Sequence, residues 1–343
     1  MNAVVKTGPG REGIYLKNMP DPQPSENEVK IAVNTAGICG TDLHIYDDEY
    51  DYTPPVILGH EFSGTVVDVG KNVVNFSAGN RVVSLTAVKT CGHCRYCREG
   101  YIMLCPERCS IGSGIHGAFA EYIVVPEHTV MKIPGNVSLE EATLFEPLSC
   151  VVRSVLETSR IKAGDTVLVS GPGTIGQLAA QIASISGSEV TVVGIGSDKE
   201  RLKMAIDNGA VSTFISTDKD FYKNIRDRIG EYGFDLVFEC AGAAASAETC
   251  LHLVRKRGQY VQVGLFGKTV PFDMDLALTK ELNIVSSFGT MKSSWERTMR
   301  LMEARKINLE PLISEILPLR EWKKGFHKAQ SGQGFKIFLD PRK

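Results

Sequence analysis

The sequence has no apolar run of the roughly 18 residues needed to cross a bilayer, and its start, MNAVVKTGPGREG, lacks the apolar centre of a signal peptide. It also has no basic run, and its formal net charge is only −2. These absences exclude long-range attraction to nucleic acid or to an anionic membrane surface, so the expected partners are small molecules, with no nucleic acid and no membrane. No internal repeat or low-complexity tract is found. The chain reads as soluble and cytoplasmic. Its 343 residues exceed the size at which a single core usually stops growing, so two domains are expected.

Cysteine, by contrast, is plentiful: nine in all. In a reducing compartment clustered thiols more often bind metal than pair as disulfides. Cys91, Cys94, Cys97 and Cys105 lie within CGHCRYCREGYIMLC at the spacing C-x2-C-x2-C-x7-C. Four thiolates can close a tetrahedral shell around zinc, and a closed shell leaves no position for water or substrate. The expected role is therefore to stabilise a loop. A redox CxxC pair would need a thioredoxin-like βαβ context, and a nucleic-acid-binding ribbon would need basic surroundings; neither is present. Cys39, Cys109, Cys150, Cys240 and Cys250 are scattered, and such cysteines usually behave as small buried hydrophobes.

The first 150 residues alternate short strand-like segments (EVKIAVNTAG, SGTVVDVG, RVVSLTAV, FAEYIVVP) with turn residues, which predicts a compact, mostly β region. From about residue 150 apolar strands alternate with helices: DTVLVSG, a helix from Thr174 to Ile185, EVTVVGIG, KERLKMAIDNG, FDLVFECAG, YVQVGLFG and LNIVSSFG. That rhythm predicts a parallel sheet covered on both faces. Beyond about residue 290, SSWERTMRLMEARK predicts a helix and FKIFL a final strand.

Gly171, Gly173 and Gly176 form GPGTIG directly after the strand TVLVS and at the start of an apolar-striped helix. Glycines there permit a tight turn and close backbone approach, and the helix N-terminus offers free N–H groups to a pyrophosphate. Gly171, Gly173, Thr174, Ile175 and Gly176 are accordingly candidate cofactor residues. The acid expected about 20 positions on, which would hold an adenosine ribose, is replaced by Gly196 and Ser197, with Asp198 slightly late and Lys199 and Arg201 nearby. Ser197, Lys199 and Arg201 suit a 2′-phosphate, whereas Asp198 can still serve a ribose. The cofactor is NAD or NADP.

A second metal set is expected from quieter residues. Cys39 lies in GICGTDLH and His60–Glu61 in PVILGHEFSG. A thiolate, an imidazole and a carboxylate make a three-ligand zinc site with an open fourth position. Glu146, in LFEPLSC, is an acid among apolar residues and a candidate to bind the metal or to support its ligands.

Taken together, GICGTD, GHEFSG, the cysteine array, FEPL and GPGTIG resemble the zinc-dependent medium-chain dehydrogenase/reductases, in that family's order and over essentially the whole chain. The resemblance implies an α/β protein in which a GroES-like, mostly-β catalytic domain (1–150, completed by 288–343) accompanies a doubly wound parallel-sheet Rossmann domain (151–287). It implies two zinc ions per chain, one structural at the four cysteines and one catalytic at Cys39, His60 and Glu61, with Glu146 binding directly or through water. Thr41 matches the residue that passes the substrate proton onward and His44 a relay position, while Leu265 and Phe288 resemble residues lining the nicotinamide. GHE with FEP is similar to the polyol (sorbitol-type) and threonine dehydrogenase branch, which implies hydride transfer between a secondary alcohol and NAD(P) and a homo-oligomer, dimer or tetramer. L-Threonine 3-dehydrogenase and a non-catalytic dinucleotide-binding redox sensor are the rival expectations.

Two departures bear on the substrate. Gly289 and Thr290 stand where sorbitol-type enzymes usually offer an arginine, and DDEYDYTPP follows HIY where threonine dehydrogenases usually differ. A pentitol, a polyol phosphate or a vicinal diol is expected, with Tyr46 as a pocket residue. The run Asp47, Asp48, Glu49 is expected to be a solvated face, one that would disfavour an anionic substrate if it lay near the cleft.

Overall fold

The computed structural model describes residues 1–343, which divide into two compact units: Met1–Ser149 with Thr290–Arg305 and Leu309–Lys343, and Cys150–Gly289 with Lys306–Asn308. No helix is long and apolar enough to cross a membrane.

The first unit is built on a seven-stranded sheet whose main path runs Val130–Lys132, Arg81–Ser84, Glu61–Val69, Glu28–Gly37, Lys336–Asp340, Ile313–Pro318. Its longest strand, Glu28–Gly37 (EVKIAVNTAG), is buried along nearly its whole length, because it pairs with Glu61–Val69, with Tyr122–Pro126 and, at its end, with Lys336–Asp340. The chain's last strand is thus brought against residues near its beginning, with Leu339 opposite Ala36 and Phe338 opposite Gly37. Val29, Ile31, Val33, Phe62, Val66, Trp322, Phe326 and Leu339 make one continuous apolar core. A smaller three-stranded sheet joins Asn2–Lys6 to Ile14–Asn18 and Val56–Ile57.

The second unit is a six-stranded, wholly parallel sheet in the order Ser212–Ile215, Glu189–Gly194, Thr166–Ser170, Phe234–Glu239, Val254–Gln262, Asn283–Ser286. Its first three strands step in one direction and the next three in the other, so the topology reverses between Thr166–Ser170 and Phe234–Glu239. Ligands of such sheets bind beyond the carboxyl ends of the strands at that reversal. The helix Thr174–Ile185 packs Leu178, Ala179, Ala180, Ile182 and Ala183 inward, and the small side chains let it lie close to the sheet. A core of Leu168, Val193, Ile225, Phe234, Val237 and Tyr260 fills one side.

Candidate metal and dinucleotide sites

In the first unit Cys39 occupies the N-cap of the short helix Gly40–Tyr46, in extended conformation. Its backbone N–H donates to Asp42 Oδ2 at 2.9 Å. Asp42 is fully buried, and its other oxygen takes the Gly59 N–H at 3.2 Å and lies 3.7 Å from His60 Nδ1. One carboxylate therefore steadies the segments carrying Cys39 and His60, as carboxylates behind metal-binding histidines commonly do. Cys39 Sγ, a His60 ring nitrogen and a Glu61 oxygen lie within 4.8 Å of one another. Burial pushes His60 towards its neutral form, but Asp42 and then Cys39 outweigh that and hold its pKa well above the usual value.

Glu61 is entirely buried. Its Oε1 takes a hydrogen bond from Lys336 Nζ at 2.7 Å, whereas Oε2 has no partner. A buried carboxylate oxygen left without a partner carries a desolvation cost of about 1–3 kcal/mol or more. An orphaned anionic oxygen beside a thiol and an imidazole is the donor set that suits zinc. Lys336 also donates to the Ile38 carbonyl at 3.2 Å. Burial favours loss of its proton, but the charges of Glu61, Cys39 and Glu146 hold its pKa above the ordinary lysine value. Glu146, 7% exposed in the first turn of the helix Phe145–Val152, is thus felt by Lys336, though the close set of donors comprises Cys39, His60 and Glu61.

Thr41 Oγ1 lies 3.9 Å from Cys39 Sγ. His44 Nδ1 is 2.8 Å from Glu49 Oε2. Tyr46, expected in a substrate pocket, packs its ring against Phe326 (5.3 Å between centroids) and Trp322 (6.3 Å), with the Arg11 guanidinium 4.9 Å above it. The acidic run lies at the surface, with Asp48 and Glu49 exposed, but its carboxylates are paired. Asp47 pairs with Arg11, Asp48 with the fully buried Lys6, and Glu49 with His44. The carboxylates of Asp47 and Asp48 fold back because Arg11 and Lys6, from the chain's first eleven residues, reach them and offset their charge.

The four-cysteine loop has the opposite character, with three of its four cysteines only half-buried. All four Sγ atoms lie within 4.8 Å of one another. Cys91 Sγ is 3.9 Å from Cys97 Sγ and 3.6 Å from Cys105 Sγ. A tetrahedron with zinc–sulfur bonds of about 2.3 Å spaces its corners roughly 3.8 Å apart, so the sulfurs fit that ion. Backbone N–H groups of Cys94, Cys97 and Cys91 aim at the sulfurs of Cys91, Cys94 and Cys105. The N–H groups of Cys94 and His93 hold the Cys91 thiol down to about 6.

In the second unit the glycine loop follows the strand Thr166–Ser170. Gly171 adopts φ +100°, and a Cβ there would meet Ala241 N at 2.7 Å; a Cβ on Gly176 would meet Gly171 O at 1.8 Å. A Cβ on Gly173 would meet nothing within 4 Å. Gly171 and Gly176 are demanded by the protein's own packing, whereas the space over Gly173 is open. Gly173 caps the helix Thr174–Ile185, whose first-turn N–H groups have no intrahelical acceptors, so the cradle suits a pyrophosphate. Both Asp198 oxygens are engaged, one by the Ile195 N–H at 3.0 Å and the other by Arg201 at 3.2 Å. Ser197 and Lys199 are exposed beside them. Leu265 and Phe288, 46% and 37% exposed, lie just beyond the carboxyl ends of Val254–Gln262 and Asn283–Ser286.

Three residues of these sites escaped the sequence reading. Asp42 sits inside GICGTD, three positions from Cys39, at the N3 spacing of a capping acid. Glu239 is buried at the carboxyl end of its strand and accepts the Ala241 and Gly242 N–H groups at 3.0 Å and Gln262 Nε2 at 2.6 Å, shaping the turn next to Gly171. Lys336 is a single basic residue in FKIFL, and nothing local marks it.

Comparison with known proteins agrees with these features. The family model for the alcohol dehydrogenase GroES-like domain matches residues 25–135, and that for the zinc-binding dehydrogenases matches 174–304. A sorbitol dehydrogenase of Halalkalibacterium halodurans is 37% identical over 342 residues, covering 99% of each chain. A D-arabitol-phosphate dehydrogenase of Enterococcus avium is 35% identical, covering 99% of this chain and 97% of its own. Among solved structures, a zinc-binding dehydrogenase of Sinorhizobium meliloti bound to NADP superposes with a TM-score of 0.91 at 30% identity, covering 99% of each chain. The chain belongs to the zinc-dependent medium-chain dehydrogenase/reductase family.

Proposed function

We propose that the protein is a zinc-dependent dehydrogenase that moves a hydride between a secondary alcohol of a polyol-type substrate and NAD(P). The observation that carries this reading is the unpartnered, fully buried Glu61 Oε2 beside Cys39 and His60. Cys39, His60 and Glu61 would hold a zinc ion, with Glu146 binding directly or through water, and Cys91, Cys94, Cys97 and Cys105 would hold a second. Zinc there supplies Lewis acidity toward a substrate hydroxyl, and the nicotinamide supplies the hydride acceptor.

The chain's own groups do the rest. Asp42 fixes the Cys39 backbone and faces the His60 ring, and Lys336 holds Glu61 in place through its Oε1. Thr41 Oγ1 accepts the proton released by the substrate hydroxyl while giving up its own, which His44, steadied by Glu49, carries outward. Gly173 and the first turn of the helix Thr174–Ile185 receive the pyrophosphate, Leu265 and Phe288 flank the nicotinamide, and Ser197, Lys199 and Arg201 receive the adenosine ribose. With Asp198 engaged by Ile195 and Arg201, and Ser197 and Lys199 exposed beside it, that side accepts a 2′-phosphate, so NADP is taken as well as NAD. Of the two units, the first is taken as the catalytic domain and the second as the dinucleotide domain.

Among polyol-type substrates, a phosphorylated polyol stands beside pentitols, since Arg11 and Lys6 offset the charge of Asp47 and Asp48 in the acidic run. Relatives acting on sorbitol and on D-arabitol phosphate bracket this choice. The test is a set of initial rates for the zinc-loaded protein with pentitols, hexitols, their phosphates, butanediol and threonine, each with NAD⁺ and NADP⁺. Polyols or their phosphates are expected to lead; a threonine rate far above all of them would replace this reading with that of a threonine dehydrogenase.

We also propose a homo-oligomer. The strand Asn283–Ser286 pairs on one side only, with exposed Ile284 on it and exposed Met274 and Leu278 four residues apart on the preceding helix. An open apolar strand edge is covered in stable proteins, and a second copy supplies a matching edge. Sedimentation velocity is expected to give a dimer or tetramer that Leu278→Glu weakens.

A further inference from the structure

The four-cysteine loop carries a second group of metal donors on its outer face. Cys91 Sγ, a ring nitrogen of His93 and a carboxylate oxygen of Glu107 lie within 4.8 Å of one another, and His93 and Glu107 are exposed. His93 Nδ1 is 2.8 Å from the Cys91 carbonyl oxygen. A carbonyl can only accept, so Nδ1 carries the proton and Nε2 keeps its lone pair. That tautomer and anchoring are how metal-binding histidines are commonly held.

Charge strengthens the case. Four thiolates around one divalent zinc leave a net charge of −2, spread over sulfurs that a few backbone N–H groups partly relieve. A thiolate can bridge two metal ions, and Glu107 adds a further negative charge next to Cys91. We infer that Cys91, His93 and Glu107 form an accessory site for a second borderline-soft divalent ion, zinc above all, which shares Cys91 with the ion inside the cysteine shell. Three protein donors leave a position for water, and the site faces solvent, so this ion binds reversibly and is the first to be lost to a chelator. Because it touches the closed shell through one sulfur, it also marks the route by which zinc reaches the four cysteines.

This inference rests on the reading of the four cysteines as a zinc shell, and the test separates the two. Zinc alone is titrated into the apo protein, and bound equivalents are counted by native mass spectrometry for wild type, for the double variant His93→Ala/Glu107→Gln, and for Cys97→Ser. Three equivalents in wild type and two in the double variant, at unchanged thermal midpoint, are expected. A wild-type count of two, falling to one in Cys97→Ser, overturns the accessory site while leaving the shell intact. A third equivalent that survives in the double variant also overturns it.

Discussion

The two cysteine-containing clusters of the first unit are built on opposite plans. The four sulfurs of Cys91, Cys94, Cys97 and Cys105 come from fifteen consecutive residues, are mostly half-buried, and are relieved by backbone N–H groups of their own loop. Cys39, His60 and Glu61 come from two segments, depend on Asp42 and on Lys336 from the far end of the chain, and sit largely within the protein. A local, saturated shell needs nothing from the rest of the fold. A buried and unsaturated one needs a counter-charge, and what it keeps in return is an unsatisfied oxygen that can engage a metal. The proposed function puts chemistry with the second plan and loop stability with the first.

The sharpest way to break that comparison is to remove one sulfur from each cluster. Cys39→Ala is expected to lose one of the two tightly held zinc ions and to cut turnover by at least about 1,000-fold, which is ~4 kcal/mol of barrier. Cys97→Ser is expected to lower the thermal midpoint while the folded fraction turns over at nearly the wild-type rate. Paired metal analysis, kinetics and calorimetry check this. Loss of turnover in a folded, cofactor-bound Cys97→Ser protein would reverse the assignment.

Lys336 sharpens the comparison further. Replacing it by Met leaves Glu61 buried without its cation, and breaking a buried ion pair in this way typically costs about 3–5 kcal/mol. Denaturant unfolding of the metal-free protein is expected to show a loss of that size, with Lys336→Arg recovering part of it. A change near zero would mean that Glu61 does not depend on its partner.

How much of this was legible follows from the same contrast. The clustering of the four cysteines was readable because they are neighbours in sequence, and the strand–turn–helix of the glycine loop because its parts follow one another. The alternating strands and helices between residues 150 and 290 likewise announced the parallel sheet. Asp42 was masked by doing a capping acid's ordinary work. Lys336 was invisible because the partner it neutralises is 275 residues away, joined only by the pairing of the last strand with Glu28–Gly37. The paired state of Asp47 and Asp48 was hidden for the same reason, since Arg11 and Lys6 reach them from the first strand and the loop after it.

The dinucleotide loop offers a gentler test, in which space is separated from strain. Gly171→Ala is expected to damage the fold, given φ +100° and the contact with Ala241. Gly173→Ala has neither problem, since its φ is −71° and its Cβ points into open space. It is expected to keep the wild-type thermal midpoint yet raise the dissociation constant for NADPH about ten-fold, or ~1.4 kcal/mol. Fluorescence titration checks it, and unchanged affinity would move the pyrophosphate away from this turn.

The smallest expected effect concerns Asp48. The hydrogen bond from Lys6 Nζ, followed by the Gly10 N–H and the Tyr52 hydroxyl, holds its carboxyl down to about 2, below the ordinary 3.8. A group whose folded pKa is depressed adds stability above its unfolded pKa and loses it as pH falls through the folded one. The contribution of Asp48 is therefore complete above about pH 4 and lost towards pH 2. Because Asp48 is one-third exposed, solvent screening keeps the gain modest. The thermal midpoint of Asp48→Asn is expected to lie below wild type at pH 5, with the gap narrowing steadily from pH 4 to pH 2. A gap independent of pH would show that Lys6 is satisfied by the Gly10 carbonyl alone. In that case the loop after the Cys39 helix is held by packing, and the contrast between a self-sufficient outer cluster and a charge-dependent interior would stop at Lys336.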